Sequence, residues 1–286
     1  MSFIVTTYNV LATSYIKPEY YLNTPRQLLD PHDRIPRLVS YLERLRSDVF
    51  CLQEVEPEVF GTIQARLEPL GYSAEYAMKG QGKPDGCGVF FNARHLQLLH
   101  ILRLDYQSAD GDQPASGHVA QLVRLNATGH HMLVVNTHLK WDPEGRHELS
   151  HIRQLIETLA AQAATGSGLI VCGDLNSNPR SSVVRALHAA GLEYAHVACQ
   201  DSATCNANQS AEMLDFIFYN NAFRGEALPI PSVMQHTPLP TLDQPSDHVP
   251  VSAVFEWRSN GKSVVDASLQ VTACSTPGSL SHGPHQ

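Results

Sequence analysis

The sequence has no long apolar run and no basic segment at its amino terminus. The first residues, MSFIVTTYNVLATSY, turn polar without any preceding lysine or arginine, so they do not fit a secretory signal peptide. No stretch approaches the roughly 20 apolar residues that a membrane-spanning helix needs. We therefore expect a protein of the cytoplasm that makes no membrane contact.

Positive charge is also scarce. The 286 residues include 20 Lys and Arg against 28 Asp and Glu, which gives a formal net charge of −8. Duplex nucleic acids are held through many Lys and Arg contacts to phosphates, so this balance argues against a broad duplex-binding surface. A local phosphate site is still compatible with it, because carboxylates around a divalent cation lower the formal charge while the ion attracts phosphate.

Cysteine pairs at metal-binding spacing are absent as well. Six cysteines are scattered along the chain, and two of them, Cys51 and Cys172, fall inside apolar runs. This predicts buried free thiols rather than a disulfide framework. Internal repeats are also lacking, and 43% of the residues are hydrophobic, so we expect one large domain.

Strand-like and helical patterns interleave along the chain. Apolar runs predict eight strands, and a 3.6-residue period predicts four helices. The strands are FIVTTYNVL, VFCLQEV, CGVFFN, VAQLVRLNA, HMLVVNTHL, LIVCGDL, MLDFIFYN and VPVSAVFEW, and the helices are RIPRLVSYLERLR, VFGTIQARLEPLG, HELSHIRQLIETLAAQAA and SSVVRALHAAG. The order predicts an α/β sandwich of mixed sheets. We expect a folded domain over 1–258 and a disordered tail over 259–286, which is rich in Ser, Gly, Pro and His.

Polar side chains stand at the ends of these strands, where a structural residue would be apolar. They comprise four carboxylates, three amides and two imidazoles: Glu54, Asp174, Asp215, Asp247, Asn9, Asn136, Asn176, His138 and His248. Carboxylates hold Mg²⁺ or Mn²⁺, amides and imidazoles donate to phosphoryl oxygens, and a histidine oriented by a carboxylate removes a proton from water. The set is typical of metal-assisted hydrolysis of a phosphate ester.

Each of these residues also has a purely structural interpretation. An Asp or Asn after a strand is more often a turn former or a helix cap, and a lone histidine is more often a hydrogen-bonded core residue. The whole set in this order is far harder to obtain by chance. The functional interpretation therefore depends on the joint occurrence and not on any single residue.

The ordered motifs YNVLA, LQEV, NTHL, GDLNS, LDFIFYN and SDHVPV resemble the endonuclease/exonuclease/phosphatase superfamily, which contains DNase I and the abasic-site nucleases. The resemblance spans residues 5–257. GKPDGCGVFF and NTHLKWDPEG are similar to the branch of messenger-RNA deadenylases, nocturnin and the Angel proteins, and GYSAEYAMKGQGKPDGC is most similar to Angel. The resemblance implies a DNase I-like fold, a four-layer α/β sandwich of two mixed, mostly antiparallel sheets flanked by helices.

The resemblance also implies a metal site. Glu54 would be the principal ligand of Mg²⁺, or of Mn²⁺, with Asn9 beside it and Asp247 supporting the same cation. The abasic-site nucleases place a carboxylate two positions after Asn9, where this chain has Leu11, so their metal arrangement is not carried over. The deadenylase branch lacks that carboxylate too.

The same resemblance assigns the catalytic roles. His248 would act as the base or as a transition-state donor, oriented by Asp215. Asp174 and Asn176 would position the attacking water and a phosphoryl oxygen, and His138 would donate to the phosphate. The implied chemistry is in-line displacement at phosphorus without a covalent enzyme intermediate.

Several further residues are candidates for bracing the site or contacting substrate. Asn136 is expected to brace the site. Asp85 in KPDGCG is either a turn former or a substrate ligand. Pro143 and Trp141 in KWDPEG could form a flat wall for a nucleobase, with packing as the preferred alternative for Trp141. Region 15–36 combines three tyrosines with cations such as Arg34, and it is either a contact for single-stranded RNA or a Pro-rich surface loop.

Three functions remain in competition. We expect first a Mg²⁺-dependent 3′-5′ exoribonuclease on single-stranded RNA that releases 5′-mononucleotides. The alternative is a phosphatase of RNA termini or nucleotides, acting on a 2′,3′-cyclic phosphate or a 2′-phosphate. An inactive nucleic-acid-binding module comes last, because the catalytic carboxylates and His248 are all present.

Two absences bear on the choice of substrate and partner. Deadenylases usually carry aromatic residues shortly before the position of Asp215, yet none lies between Tyr194 and Phe216, which counts against a strict poly(A) preference. Because the sequence begins directly with its first strand, we also expect it to lack the partner-docking repeats of some deadenylases. We expect no obligatory protein partner.

Overall fold

Two six-stranded sheets pack face to face at the centre of the molecule. The computed structural model describes residues 2–109, 115–162, 167–199, 202–207 and 210–258. Within them the strands are β1 (Ser2–Asn9), β2 (Val49–Val55), β3 (Tyr72–Met78), β4 (Gly86–Asn92), β5 (Leu96–Asp105), β6 (Val119–Ala127), β7 (His130–His138), β8 (Gly168–Asp174), β9 (Glu193–Tyr194), β10 (Cys205–Ala207), β11 (Ser210–Glu212), β12 (Asp215–Tyr219), β13 (Phe223–Ala227) and β14 (Val251–Trp257). The helices are α1 (Pro31–Leu45), α2 (Pro57–Leu67), α3 (Arg146–Gln162) and α4 (Ser182–Ala189). The predicted tail, 259–286, lies outside the described residues, so the boundary at 258 stays a prediction.

The two large sheets have matching layouts. The strand order is β13-β14-β1-β2-β4-β3 in the first sheet and β5-β6-β7-β8-β12-β9 in the second. Each sheet has one parallel pair at its centre, β1 with β2 and β7 with β8. The remaining pairs of both sheets are antiparallel. The prediction of two mixed, mostly antiparallel sheets is therefore confirmed.

Three apolar clusters hold four layers together. Val89 and Val134 belong to the cluster between the sheets. Leu42 of α1 packs on the outer face of the first sheet, and Leu155 of α3 packs on the outer face of the second. Burying one such Leu side chain stabilises the fold by roughly 1.5–3 kcal/mol relative to exposing it. The order helix, sheet, sheet, helix confirms the predicted four-layer α/β sandwich.

Two of the helices, α1 and α4, begin at side-chain caps. The carboxylate of Asp30 accepts a hydrogen bond from the backbone N of His32, so α1 starts three residues before the predicted Arg34. The hydroxyl of Ser181 accepts from the backbone N of Val184 at 3.2 Å and caps the start of α4. None of the helices in the described part of the chain has the length and apolar content that a membrane crossing requires.

The strands that the sequence did not predict lie mainly at the sheet edges. β13 and β3 border the first sheet, and β5 and β9 border the second. Within β5 only Leu96 is buried, and most residues of β3 are only partly buried. A central strand has a continuous apolar sequence because both of its faces are covered. An edge strand is more exposed and lacks this continuous apolar run.

Candidate active site

The ends of the two parallel strand pairs bring polar side chains together. Asn9 ends β1, Glu54 lies near the end of β2, His138 ends β7 and Asp174 ends β8. Parallel neighbours run in the same direction, so their last residues lie side by side. Asp215 opens β12 directly opposite Asp174 in the antiparallel register. The two sheets thus supply one cluster of polar groups, most of it buried.

Asn9 joins the two sheets through its amide. Its Nδ2 donates to Oε1 of Glu54 at 3.0 Å and to Oδ2 of Asp174 at 2.9 Å. Its Oδ1 accepts from the backbone N of Leu11 at 3.0 Å. Because the amide oxygen faces the backbone, Asn9 acts here as a donor between two carboxylates. Its role as a metal ligand stays a prediction.

A buried guanidinium fixes the turn after β1. Arg34 of α1 donates to the carbonyl oxygens of Val10 at 2.8 Å and Leu11 at 2.7 Å. Leu11 has a φ of 59°, in the left-handed region. The suggestion that Arg34 contacts RNA is therefore wrong, because its side chain is buried and engaged with this turn.

A bulge directs Glu54 towards the cluster. The register of β2 against β4 shifts between Leu52 and Val55, and Glu54 has a φ of 57°. Its Oε2 accepts from the backbone N of Ala12 at 3.0 Å. Burial and the charge of Asp247 raise the pKa of Glu54 to about 7. The raised pKa thus reflects first the burial of the Glu54 carboxylate and second the negative charge of Asp247.

Glu54 and Asp247 form a donor set that suits a divalent cation. Asp247 is buried, and its Oδ2 accepts from the hydroxyl of Tyr21 at 2.9 Å. Carboxylate oxygens are the hard ligands that Mg²⁺ and Mn²⁺ prefer. A bound dication would also offset the two effects, burial and the charge of Asp247, that raise the pKa of Glu54. The residues present therefore fit the expected ion.

His248 and Asp215 form a hydrogen-bonded pair. Nδ1 of His248 lies 2.8 Å from Oδ2 of Asp215, which also accepts from the hydroxyl of Thr204 at 2.7 Å. Burial opposes a positive charge on His248, but the carboxylate of Asp215 favours it, and the pKa of His248 is raised well above its ordinary value. The ring therefore carries a proton on each nitrogen at neutral pH, which suits a charged hydrogen-bond donor.

Asp174 lies between the two histidines. Its Oδ2 is 3.7 Å from Nε2 of His248 and 3.8 Å from Nε2 of His138. Its Oδ1 accepts from the backbone N of Asn176 at 2.9 Å. Burial raises the pKa of Asp174 to about 6, against the opposing charge of His248. Ligand atoms of Asp174, Asp215 and His248 all lie within 4.8 Å of one another, a spacing that also admits a metal ion.

His138 faces an amide at one ring nitrogen and an ammonium at the other. Its Nε2 is 3.1 Å from Nδ2 of Asn176, which donates to the carbonyl oxygen of Leu139 at 2.8 Å. Its Nδ1 is 3.2 Å from Nζ of Lys79. Burial and the charge of Lys79 hold the pKa of His138 well below its ordinary value. His138 is therefore neutral at neutral pH, unlike His248.

Asn136 lies behind this cluster, between the sheets. Its Nδ2 donates to the carbonyl oxygens of Leu52 at 2.9 Å and Gly88 at 3.0 Å. Its Oδ1 accepts from Nε2 of Gln53 at 2.7 Å. Asn136 belongs to β7 and these partners belong to β2 and β4, so it ties the second sheet to the first.

The three predicted substrate residues have different surroundings. Asp85 is fully buried, with one carboxylate oxygen 2.6 Å from Nζ of Lys79 and the other accepting from the hydroxyl of Tyr15 at 2.6 Å. Trp141 is 64% exposed, so the preferred alternative that it packs in the core is wrong. Pro143 is exposed as well. A substrate can reach Trp141 and Pro143 from solvent, whereas the carboxylate of Asp85 faces inward.

Sequence reasoning missed three residues that contact the cluster. Lys79 directly follows the edge strand β3. Because polar residues after strands are candidate site residues, a prediction of β3 would also have pointed to Lys79. Tyr21 donates to Asp247, 226 residues away, and Thr204 donates to Asp215. No local pattern in the sequence marks the last two residues, because their significance comes from long-range contacts.

The chain is similar in sequence to known proteins. The Endonuclease/Exonuclease/phosphatase family matches residues 6–248. Protein angel homolog 2 of Bos taurus is 30% identical over 205 residues, which cover 67% of this chain and 38% of that protein. The CCR4-Not complex 3′-5′-exoribonuclease subunit Ccr4 of Candida glabrata is 28% identical over 229 residues, covering 68% of this chain and 26% of that protein. The chain thus spans less than two fifths of either relative.

The fold is shared with a solved structure. The crystal structure of ANGEL2, a 2′,3′-cyclic phosphatase, in complex with adenosine-2′,3′-vanadate superposes with a TM-score of 0.78. The superposition covers 89% of this chain and 95% of that chain at 22% identity. Similarity at this identity shows the fold and carries no statement about substrate.

Proposed function

The chain belongs to the endonuclease/exonuclease/phosphatase family, and from this membership we propose that it is a metal-dependent hydrolase acting on a phosphodiester at the 3′ end of RNA. The first candidate substrate is a terminal 2′,3′-cyclic phosphate. The second is the last internucleotide bond of single-stranded RNA. The same groups serve both reactions, because only the leaving oxygen differs.

One observation carries the proposal. Asp174 lies within 3.8 Å of both His138 and His248, and Asn9 connects it to Glu54. One small space at the ends of the parallel strands is therefore surrounded by a carboxylate that can accept from water, two imidazoles that can donate, and a carboxylate that can bind a metal ion. Hydrolysis at phosphorus needs an oriented water and donors placed where negative charge develops.

The side chains divide the work as follows. Asp174 accepts a hydrogen bond from the attacking water and holds it in line with the scissile bond, and its pKa of about 6 suits a group that takes a proton near neutrality. The charged His248 ring, oriented by Asp215, donates to a phosphoryl oxygen. The neutral His138 ring and Asn176, on the other side of Asp174 from His248, also donate to a phosphoryl oxygen.

Glu54 and Asp247 would hold Mg²⁺ or Mn²⁺, which when bound supplies charge neutralisation at the phosphoryl oxygens. We place the cation there rather than among Asp174, Asp215 and His248. An ion in that second cluster would compete with the 2.8 Å hydrogen bond that orients His248. Asn9 then keeps Glu54 and Asp174 apart by donating to both.

Two observations favour the cyclic phosphate over the internucleotide bond. Protein angel homolog 2 is 30% identical to this chain over the matched residues, and ANGEL2 is a 2′,3′-cyclic phosphatase. The aromatic residues expected of a deadenylase before Asp215 are also missing from the sequence. The similarity to Ccr4 keeps the exoribonuclease as the second candidate.

The test compares two labelled oligonucleotides. A 5′-labelled single-stranded oligoadenylate with a 2′,3′-cyclic phosphate end and one with a 3′-hydroxyl end are each incubated with the protein and Mg²⁺. Glu54→Ala and an EDTA-treated wild type serve as blanks. Opening of the cyclic phosphate to a terminal phosphomonoester at constant length, with or without later hydrolysis of that monoester, supports the first candidate. Progressive shortening of the hydroxyl-ended strand supports the second. If the wild type changes neither strand, the proposal is overturned.

A further inference from the structure

Lys79 is a buried cation behind the candidate active site. It directly follows β3, and its side chain is 1% exposed. Its Nζ lies 2.6 Å from Oδ2 of Asp85 and 3.2 Å from Nδ1 of His138. Asp85 is in turn held by the hydroxyl of Tyr15, at 2.6 Å from its other oxygen. The ammonium is therefore fixed between a carboxylate and an imidazole.

The chemistry of an ammonium determines where the imidazole proton lies. A lysine ammonium has three donors and no acceptor, so the ring nitrogen that faces it has to accept. A ring nitrogen that accepts carries no proton. The neutral ring of His138 then carries its single proton on Nε2, and the nearby positive charge opposes a second proton on Nδ1.

The other side of the ring presents an unusual meeting of two donors. Nδ2 of Asn176 donates to the carbonyl oxygen of Leu139 at 2.8 Å, which fixes the amide with its nitrogen towards His138. This nitrogen is 3.1 Å from Nε2 of His138. With the proton on Nε2, both atoms are donors and neither can satisfy the other. Oδ2 of Asp174, at 3.8 Å from Nε2, is too far for a hydrogen bond.

We propose that Lys79, held by Asp85, is a positioning residue that fixes His138 as the neutral tautomer protonated at Nε2, so that Nε2 and Asn176 Nδ2 together bind one phosphoryl oxygen of the substrate. Lys79 acts through His138 and does not touch the reacting atoms. Asp85, for which the sequence suggested a substrate ligand as one of two interpretations, instead holds Lys79 in place. The identity of the acceptor rests on the function proposed above, whereas the tautomer does not.

The tautomer is measured without any substrate. Two-bond ¹H–¹⁵N spectra of the protein labelled with ¹⁵N-histidine distinguish a proton on Nε2 from one on Nδ1, and His138→Asn assigns the signals by their loss. We expect the wild type to carry the proton on Nε2. A proton on Nδ1, or on both nitrogens at neutral pH, overturns the inference.

Lys79→Met tests the cause of this tautomer. Without the ammonium, Nε2 of His138 can accept from Asn176 at 3.1 Å, so we expect the ring proton to move to Nδ1. Lys83→Met is the matched control, because it removes a half-buried lysine charge four residues away and should leave the tautomer unchanged. An unchanged tautomer in Lys79→Met overturns the inference. If that variant does not fold, Lys79→Met/Asp85→Asn replaces it, because it also removes the carboxylate that would be left unpaired.

Kinetics supply a second readout. Removing one preorganised donor to an oxyanion typically lowers kcat about 10²–10³-fold, so a displaced tautomer should lower kcat by about tenfold or more. We expect a smaller change in KM, because the two donors align with the charge that develops during reaction. A folded Lys79→Met with unchanged kcat overturns the inference. If the wild type acts on neither oligonucleotide, the proposed function fails, while the spectra still decide the tautomer.

Discussion

His138 and His248 direct their Nε2 atoms at one oxygen of Asp174, at 3.8 and 3.7 Å, while their Nδ1 atoms face opposite charges. Nδ1 of His138 faces the ammonium of Lys79 at 3.2 Å, and Nδ1 of His248 faces the carboxylate of Asp215 at 2.8 Å. One ring is therefore kept neutral and the other charged. Two residues of the same type are thus held in different charge states by the groups that face their Nδ1 atoms.

Asp215→Asn should remove the charge from His248. Without the carboxylate, burial dominates and the pKa of His248 falls from its raised value. A charged donor is then present only at lower pH, so the alkaline limb of the kcat profile moves towards acid. We expect kcat at pH 8 to fall by about 10²–10⁴-fold. NMR titration of His248 and the pH dependence of kcat check this result.

Asp105→Asn is the matched control for that variant, because it changes an exposed carboxylate whose ion-pair partner is Arg103. Its kcat and its pH profile should match the wild type. Retention of the wild-type alkaline limb by Asp215→Asn would contradict the role given to the His248–Asp215 pair.

Glu54→Gln should stabilise the metal-free protein at pH 8. The pKa of Glu54 is about 7 in the folded state, above its unfolded value, so this carboxyl costs stability as pH rises through that interval. Replacing it with a neutral amide removes the cost, and we expect a gain of roughly 1–3 kcal/mol at pH 8 and little change at pH 4. Urea unfolding in EDTA at the two pH values measures the difference.

With Mg²⁺ present, the wild type should become more stable than Glu54→Gln at pH 8. Added to the wild type at pH 8, Mg²⁺ should raise the free energy of unfolding, because it binds only the folded carboxylates. Glu54→Gln should show no such rise, while the exposed control Glu58→Gln should respond like the wild type. If metal-free Glu54→Gln is less stable than the wild type at pH 8, then burial and the charge of Asp247 do not make the ionised Glu54 carboxylate unfavourable in the folded protein.

The sequence predicted the central strands and the polar residues at their ends for one physical reason. Central strands are covered on both faces, so they appear as apolar runs, and a polar residue such as Asp174 interrupts the run visibly. Edge strands lack the run. β3 was missed for that reason, and Lys79 after its end, which contacts His138, was missed with it.

The remaining site residues depend on contacts that no local pattern contains. Tyr21 reaches Asp247 across 226 residues, and Arg34 holds the turn after β1 from a helix. Both belong to region 15–36, whose composition equally fitted an RNA-binding loop. Tertiary contacts, which bury Arg34 and pair Tyr21 with a carboxylate, decide between these interpretations.

Trp141→Ala should weaken substrate binding without affecting the fold. The ring is 64% exposed, so its removal should change the free energy of unfolding by less than about 0.5 kcal/mol. Stacking of one base on an aromatic ring contributes about 1–3 kcal/mol, which predicts a higher KM for a short oligonucleotide and an unchanged kcat. Leu242→Ala, which removes a side chain that is 70% exposed, is the control. Equal KM values for the two variants would rule out a stacking role for Trp141.

His151→Phe should stabilise the protein, and more so in acid. His151 in α3 is fully buried and stacks on Tyr106 with ring centroids 4.4 Å apart, and within the described residues neither of its ring nitrogens has a hydrogen-bond partner. A phenylalanine ring keeps the stacking and removes two unsatisfied polar atoms. Relieving one buried unsatisfied group is worth about 1–3 kcal/mol, so we expect a gain in that range at pH 8.

The pH dependence of this variant follows from the same burial. Burial, together with His147 and Lys140, lowers the pKa of His151 to about 3 in the folded state. The unfolded chain binds a proton near the ordinary value of about 6.5, so the wild type loses stability as pH falls below that value, by at most about 1.4 kcal/mol per pH unit. His151→Phe lacks this loss, and its advantage in urea unfolding should therefore be larger at pH 5 than at pH 8. An equal or smaller advantage at pH 5 would mean that His151 takes up its proton in the folded protein.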